Sequence, residues 1–170
     1  MHITTRPAEP RDAAAIAAIY NQAVVGSTAT FDTERQTVEA RSAWLEGRPE
    51  RHPVLVAELD GAVVGWASFS AWSVRPAYDA TVEISIYVDG AHRGLGIGPR
   101  LGRELIERAP ALGIRTILSR VCTENEASIR MGERLGFTPV GVMHQVGHKF
   151  GRWLDVLVAE LVLAENDDAT

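Results

Sequence analysis

Only one cysteine stands among the 170 residues, which excludes an internal disulfide and any cysteine-cluster metal site. Cys122 lies in the strand-like run "TILSRVCTE", so it reads as a small buried hydrophobe rather than as a nucleophile. Positive charge is in short supply too. A formal net charge of −5 speaks against a polyanionic partner such as nucleic acid, while leaving room for a local basic patch around one phosphate. No apolar run exceeds a few residues, so no membrane partner is expected. The opening "MHITTRPAEPRD" lacks a basic stretch followed by an apolar one, so no secretory signal is expected and the cytoplasm is the expected compartment. Repeats, low-complexity tracts and long linkers are missing as well. One domain over residues 1–164, with the polar tail "ENDDAT" at 165–170, is the simplest organisation. A chain of this length buries roughly two thirds of its unfolded surface, enough for a core without a staple.

What is present is a regular succession of short elements. "HITTRPA" alternates like an edge strand, and Asp12 is placed to cap a helix over "AAAIAAIYNQAV", where Ile16, Ile19, Tyr20 and Ala23 recur at helical spacing. After the loop "VGSTATFDTE" a second helix is expected near residues 35–47, carrying Val38, Trp44 and Leu45. "HPVLVAEL" and "AVVGWASFS" flank Asp60-Gly61, the strongest hairpin signal in the chain. In "ATVEISIYVD", Val82, Ile84, Ile86 and Val88 face one way, toward a core, while Glu83, Ser85 and Tyr87 face something polar. A helical stripe of Leu101, Leu105, Ala109 and Leu112 runs to Gly113, and "RTILSRVCT" reads as a strand. "NEASIRMGERLGF" is a short helix closed by Gly136, and "VGVMHQVG" with "RWLDVLVAELVL" makes a final antiparallel pair. The sum is a mixed α/β domain with hairpins, α+β in character, rather than a repeating βαβ array.

Between strand and helix lies "HRGLGIGPRL", with glycines at alternate positions. Such a loop lets backbone N–H groups approach an anion closely, and the following helix adds roughly half a positive charge at its start. A Walker A loop needs a Gly-Lys pair, which is absent. A dinucleotide fingerprint needs G-x-G-x-x-G opening a βαβ unit, and this loop follows a hairpin. The remaining pattern, Arg93-x-x-Gly96-x-Gly98 after "YVD", resembles the acyl-CoA pyrophosphate loop of the GNAT superfamily of N-acetyltransferases. "ENEASIRMGERLGF", with Gly136 and Phe137 placed 11 and 12 residues past Asn125, resembles the superfamily's next segment. Four further stretches, "IYNQAV", "STATFDTE", "RPAYDATVE" and "KFGRWLDV", resemble the phosphinothricin and methionine sulfoximine/sulfone N-acetyltransferases over nearly the whole chain.

That resemblance implies a central, mostly antiparallel twisted sheet flanked by about four helices. It also implies acetyl transfer from the cosubstrate acetyl-CoA to the α-amine of a small amino acid analogue, and a homodimer. It implies that the backbone of Ile86, Tyr87 and Val88 pairs with the acetyl-pantetheine arm, that the Val88 N–H meets the thioester carbonyl, and that Arg93, Gly94, Leu95, Gly96, Ile97 and Gly98 hold the pyrophosphate. Glu83 is then the catalytic carboxylate acting on the substrate amine through water; the alternative is a partly solvated strand residue in an ion pair. Ser73, Arg75 and Tyr78 of "SVRPAY" match the substrate loop, an arginine fork suiting a substrate carboxylate, with a plain surface arginine as the alternative. Ser85 shares the polar face with Glu83; Phe31 and Trp72 either wall the substrate pocket or belong to the core. Asn125 matches the asparagine near the pantetheine and is also placed to cap a helix.

Two residues depart from the family pattern. Pro99 has no N–H to offer a phosphate, although proline suits the first helical position. Gly132 stands where relatives carry a histidine or tyrosine that protonates the leaving thiolate. His144 and His148 have no third ligand nearby, so no metal is expected. Lys149 and Arg152 either assist an acidic substrate or coat the surface. Retained activity with a different acceptor, a peptide N-terminus or a polyamine, and an acyl-CoA sensor with weak chemistry, are the competing functions.

Overall fold

The computed structural model describes residues 2–164; the polar tail at 165–170 lies outside the described residues. β1 (Ile3–Pro7) leads to α1 (Ala13–Gly26) and α2 (Val38–Glu46), followed by the antiparallel run β2 (Val54–Leu59), β3 (Ala62–Ala71) and β4 (Thr81–Val88). α3 (Ile97–Arg108), β5 (Thr116–Cys122), α4 (Glu126–Arg134), β6 (Thr138–Lys149) and β7 (Arg152–Val162) complete the chain. One seven-stranded sheet forms in the order β1-β2-β3-β4-β5-β7-β6. β4 and β5 are its single parallel pair, so α3 is the crossover that joins them.

Local chemistry explains most of the turns. Asp60 and Gly61 take φ values of 50° and 84°, the double left-handed geometry of the tight hairpin turn expected there. Asp12 does not cap α1 as expected. It ends a 3₁₀ turn (Pro10–Asp12), where its carboxylate accepts the Glu9 N–H at 2.7 Å and both of its oxygens are held by Arg6 at 2.7 and 2.9 Å. A buried carboxylate is tolerated only when paired in this way.

Both sheet faces are covered. α3 lays Ile97, Leu101 and Leu105 against Leu55, Phe69 and Val82, all fully buried or nearly so. On the other face α1 sets Ile16, Ile19, Tyr20 and Val24 against Val54, Val56 and Trp66. Each such side chain contributes about 1.5–3 kcal/mol of burial. α2, capped by the Thr37 hydroxyl accepting the Ala40 N–H, differs from its expected face. Trp44 and Leu45 do pack inward, but Val38 is exposed and Arg41 is the buried residue, its guanidinium 4.2 Å from the Tyr20 ring centre. Cation–π stacking replaces an aliphatic contact there. Tyr87 corrects another expectation: on the supposedly polar side of β4, it packs 4.9 Å from Trp66 and 5.0 Å from Tyr20. No helix among the described residues is long and apolar enough to cross a membrane.

Candidate active site

The site begins where β4 and β5 part. β4 stays paired with β3 as far as Gly65↔Val88, but with β5 only as far as Glu83↔Leu118, so Ile84–Val88 have no strand on that side. Trp72 donates to the Thr81 carbonyl and Asp89 to the Val64 carbonyl, which sets the parity of the strand: odd residues turn their backbone groups to β3. By alternation Ile84, Ile86 and Val88 turn theirs into the gap. A strand edge left open in this way offers donors and acceptors to an extended ligand.

Two adjoining cavities occupy the gap, of about 590 and 800 Å³. Ile86, Tyr87, Asn125, Ser128 and Met131 line both, which makes them one continuous groove. Arg93, Gly94, Gly96, Ile97 and Gly98 line the larger one, as does Val88, while Leu95 is exposed and outside the lining. Gly96 opens α3 in the left-handed region at φ 78°, which keeps a side chain out of the turn. A Cβ at Gly98 would come within 2.9 Å of the Met131 sulfur, so glycine there lets α3 and α4 close over the strand end. Gln22 of α1 steadies the approach to the loop, donating to Asp89 at 2.6 Å and accepting from the Gly90 N–H at 2.8 Å. The bond from Gln22, with that from His92, holds the Asp89 carboxyl below its usual range.

Glu83, Ser85 and Phe31 line the smaller cavity, with Cys122 buried at its wall. The loop Ser73–Tyr78 is not brought in. Trp72, Ser73, Arg75 and Tyr78 line neither cavity, and Arg75 and Tyr78 are exposed in the 3₁₀ turn that precedes β4. Trp72 instead lies 5.5 Å from the Arg120 guanidinium. Asn125 caps α4 by accepting the Ser128 N–H at 3.2 Å, and it also lines both cavities.

Comparison with known proteins decides the family. A model of the acetyltransferase (GNAT) family matches residues 12–137. This chain belongs to the GNAT acetyltransferases. An L-methionine sulfoximine/L-methionine sulfone acetyltransferase of Salmonella typhimurium is 42% identical over 96% of both chains. A phosphinothricin N-acetyltransferase of Streptomyces viridochromogenes is 38% identical over 91% of this chain and 84% of its own. Among solved structures, a Salmonella typhimurium acetyltransferase with its cofactor acetyl-CoA superposes with a TM-score of 0.93 at 42% identity, covering 97% of this chain and 96% of that one.

Within the GNAT frame, Pro99 proves to be the third rather than the first residue of α3. It still sits in the first turn, where no intrahelical partner is lost, since the first internal bond runs from the Arg100 N–H to the Gly96 carbonyl. The start of α3 therefore presents three backbone N–H groups, from Gly96, Ile97 and Gly98, where most helices present four.

Sequence reasoning misplaced one residue behind this GNAT site and passed over another within it. Lys149, the only lysine in the chain, is neither at the surface nor free for a substrate. It is buried and donates to the Ala23, Ser27 and Thr30 carbonyls at 3.4, 2.8 and 2.8 Å, closing the C-terminal end of α1, where the helix dipole favours a cation. Burial pushes its pKa down. The loop it ties supplies Thr28 and Ala29 to both cavities. Arg120 is the other: it grips Glu83 through Nε and, at 2.9 Å, through Nη2. An arginine mid-strand in "LSRVC" was the available signal. Arg152 pairs with Glu124 at the rim of the larger cavity, and His144 and His148 are taken up by Asp155 and Trp153. No group of three or more His, Cys, Asp or Glu suited to a metal ion occurs among the described residues.

Proposed function

We propose that this GNAT enzyme transfers an acetyl group from acetyl-CoA to the α-amine of a small amino acid analogue of the methionine sulfone, methionine sulfoximine or phosphinothricin kind. One observation carries the reading: a single groove joins the glycine-turned start of α3, the free edge of β4 and the carboxylate of Glu83. In this reading the backbone N–H groups of the loop and of Ile97 and Gly98 hold the pyrophosphate, and Arg93 adds charge beside them. The pantetheine arm lies along Ile86–Val88 as an added strand, beside Asn125.

The chemistry needs no covalent enzyme intermediate. Glu83 draws in the ammonium and takes its proton, directly or through one water, freeing the lone pair. The nitrogen then attacks the thioester carbon, and the Val88 N–H stabilises the oxygen as it gains charge. The carbonyl re-forms as the C–S bond breaks. The CoA thiolate leaves and takes up one proton, while the second proton released by the nitrogen goes to solvent. A single free cysteine and the absence of any disulfide requirement support a cytoplasmic enzyme. The exposed Val140, Val142 and Trp153 along the β6–β7 edge support a homodimer, because long apolar edges are seldom left open.

Thiol release from acetyl-CoA, followed with methionine sulfone, methionine sulfoximine, phosphinothricin, polyamines and short peptides, tests the proposal. Turnover confined to the amino acid analogues is expected. Turnover confined to polyamines or peptides would transfer the enzyme to another acceptor, and tight CoA binding with no turnover would make it a sensor.

The missing acid at Gly132 has its own test. A Cβ there meets nothing nearer than Phe137 Cβ at 3.9 Å, and the residue lines the smaller cavity, so a side chain fits. Gly132→His is expected to raise kcat about tenfold or more, within the range a positioned acid supplies. An unchanged kcat in a variant that melts normally would show that water already protonates the thiolate fast enough.

A further inference from the structure

Within the smaller cavity the charges are few. Among the described residues that line it, Glu83 is the only carboxylate and Arg120 the only cation. Both belong to the mouth of the splay. Glu83 is the last β4 residue paired with β5, opposite Leu118, and Arg120 lies two positions further along β5, on the same face as Leu118. The two side chains join across the opening in a two-point ion pair, with Nε and Nη2 donating to the two carboxylate oxygens. The Arg120 guanidinium also lies 5.5 Å from the Trp72 ring centre, which braces the fork.

A guanidinium has five N–H donors, and the bond to Glu83 uses two. Three remain, on Nη1 and the outer side of Nη2, and they are not needed by Glu83. Resting on the proposed acetylation of an amino acid, we infer that Glu83 and Arg120 together form a receptor for the zwitterionic end of the acceptor. Arg120 takes the α-carboxylate and Glu83 the α-ammonium. The pair is a built-in counter-dipole: the acceptor carries opposite charges one carbon apart, and the cavity presents the complementary charges side by side. Arg75, the arginine that the substrate-loop pattern suggests for the carboxylate, is exposed and outside the cavity, so it does not compete for this role.

A polyamine or an amino acid with a blocked carboxyl lacks the carboxylate that engages Arg120, so the receptor selects free amino acids over both.

The test uses methionine sulfone and its methyl ester as paired probes. Each is titrated calorimetrically into the CoA-saturated protein and assayed for thiol release with acetyl-CoA, using the native chain, Arg120→Ala and Arg120→Lys. The native protein is expected to favour the free acid about 10- to 100-fold, the range of a charge-assisted fork. Arg120→Ala should weaken the acid by that factor while the ester changes little, and Arg120→Lys should recover part of the loss. Arg120 is half exposed, so both variants are expected to fold, and a thermal melt verifies it. Equal loss for acid and ester would place Arg120 behind Glu83 rather than on the substrate, and no preference in the native protein would remove the receptor; either overturns the inference. Thiol release without acid preference leaves the transferase reading intact and sinks only the receptor. Acid preference in binding without thiol release sinks the transferase reading and supports the receptor.

Discussion

Glu83→Gln is expected to lower kcat/KM for the acceptor about 10²- to 10⁴-fold, with acetyl-CoA affinity unchanged within a factor of about two to three. The amide keeps the size of the side chain and its place in the smaller cavity, but it neither attracts an ammonium nor accepts its proton. An ammonium has no lone pair, so attack waits on another base, and water is a poor one at neutral pH. In the proposed reading the pantetheine arm starts at Ile86, three residues further along β4, so acetyl-CoA affinity is the internal control. Stopped-flow thiol release under single-turnover conditions reads the chemical step directly. A variant that retains the full single-turnover rate at pH 7 would take Glu83 out of the reaction.

Lys149→Met is expected to lower stability by about 3 kcal/mol, because methionine fills the volume but leaves the Ser27 and Thr30 carbonyls without the ammonium, at about 1–3 kcal/mol each. In a chain of this size that is a melting temperature lower by roughly 6–12 °C. The loss is expected to spread to function. The Ser27–Phe31 loop that the ammonium ties is also held by Tyr20, which bonds the Thr30 hydroxyl at 2.8 Å and Asp32 at 2.6 Å, and it walls both cavities. A weaker grip for acetyl-CoA, read by calorimetry below the melting transition, should accompany the lower melting temperature. Alkaline titration adds a sign. A folded pKa below the ordinary 10.5 means that between the two values the unfolded chain binds more protons, so stability rises with pH there. That rise should vanish in Lys149→Met, and an unchanged melt and slope would show the ammonium to be spare.

Much of the frame was legible because it depends on short-range rules. The Asp60-Gly61 turn, the alternation of β4, the stripe on α3 and the Asn125 cap are each decided by a few neighbouring residues. Asp12 and Val38 were misplaced for the opposite reason. The buried position of Asp12 depends on Arg6 and that of Arg41 on Tyr20, partners that lie outside the window in which helical spacing is judged. Lys149 was illegible for the same cause: its three acceptors lie more than a hundred residues away in the chain.

The order of residues alone determined that a glycine turn precedes an amphipathic helix and that Glu83 shares a strand with Ile86, Tyr87 and Val88. Only the tertiary structure decided that β7 inserts between β5 and β6, that β4 and β5 separate after Glu83, and that Arg120 rather than Arg75 stands beside that carboxylate. Propensity and periodicity act over a few residues, whereas strand order and the meeting of distant charges follow from how both sheet faces are buried at once. That is a global condition, and no local stretch of sequence contains it.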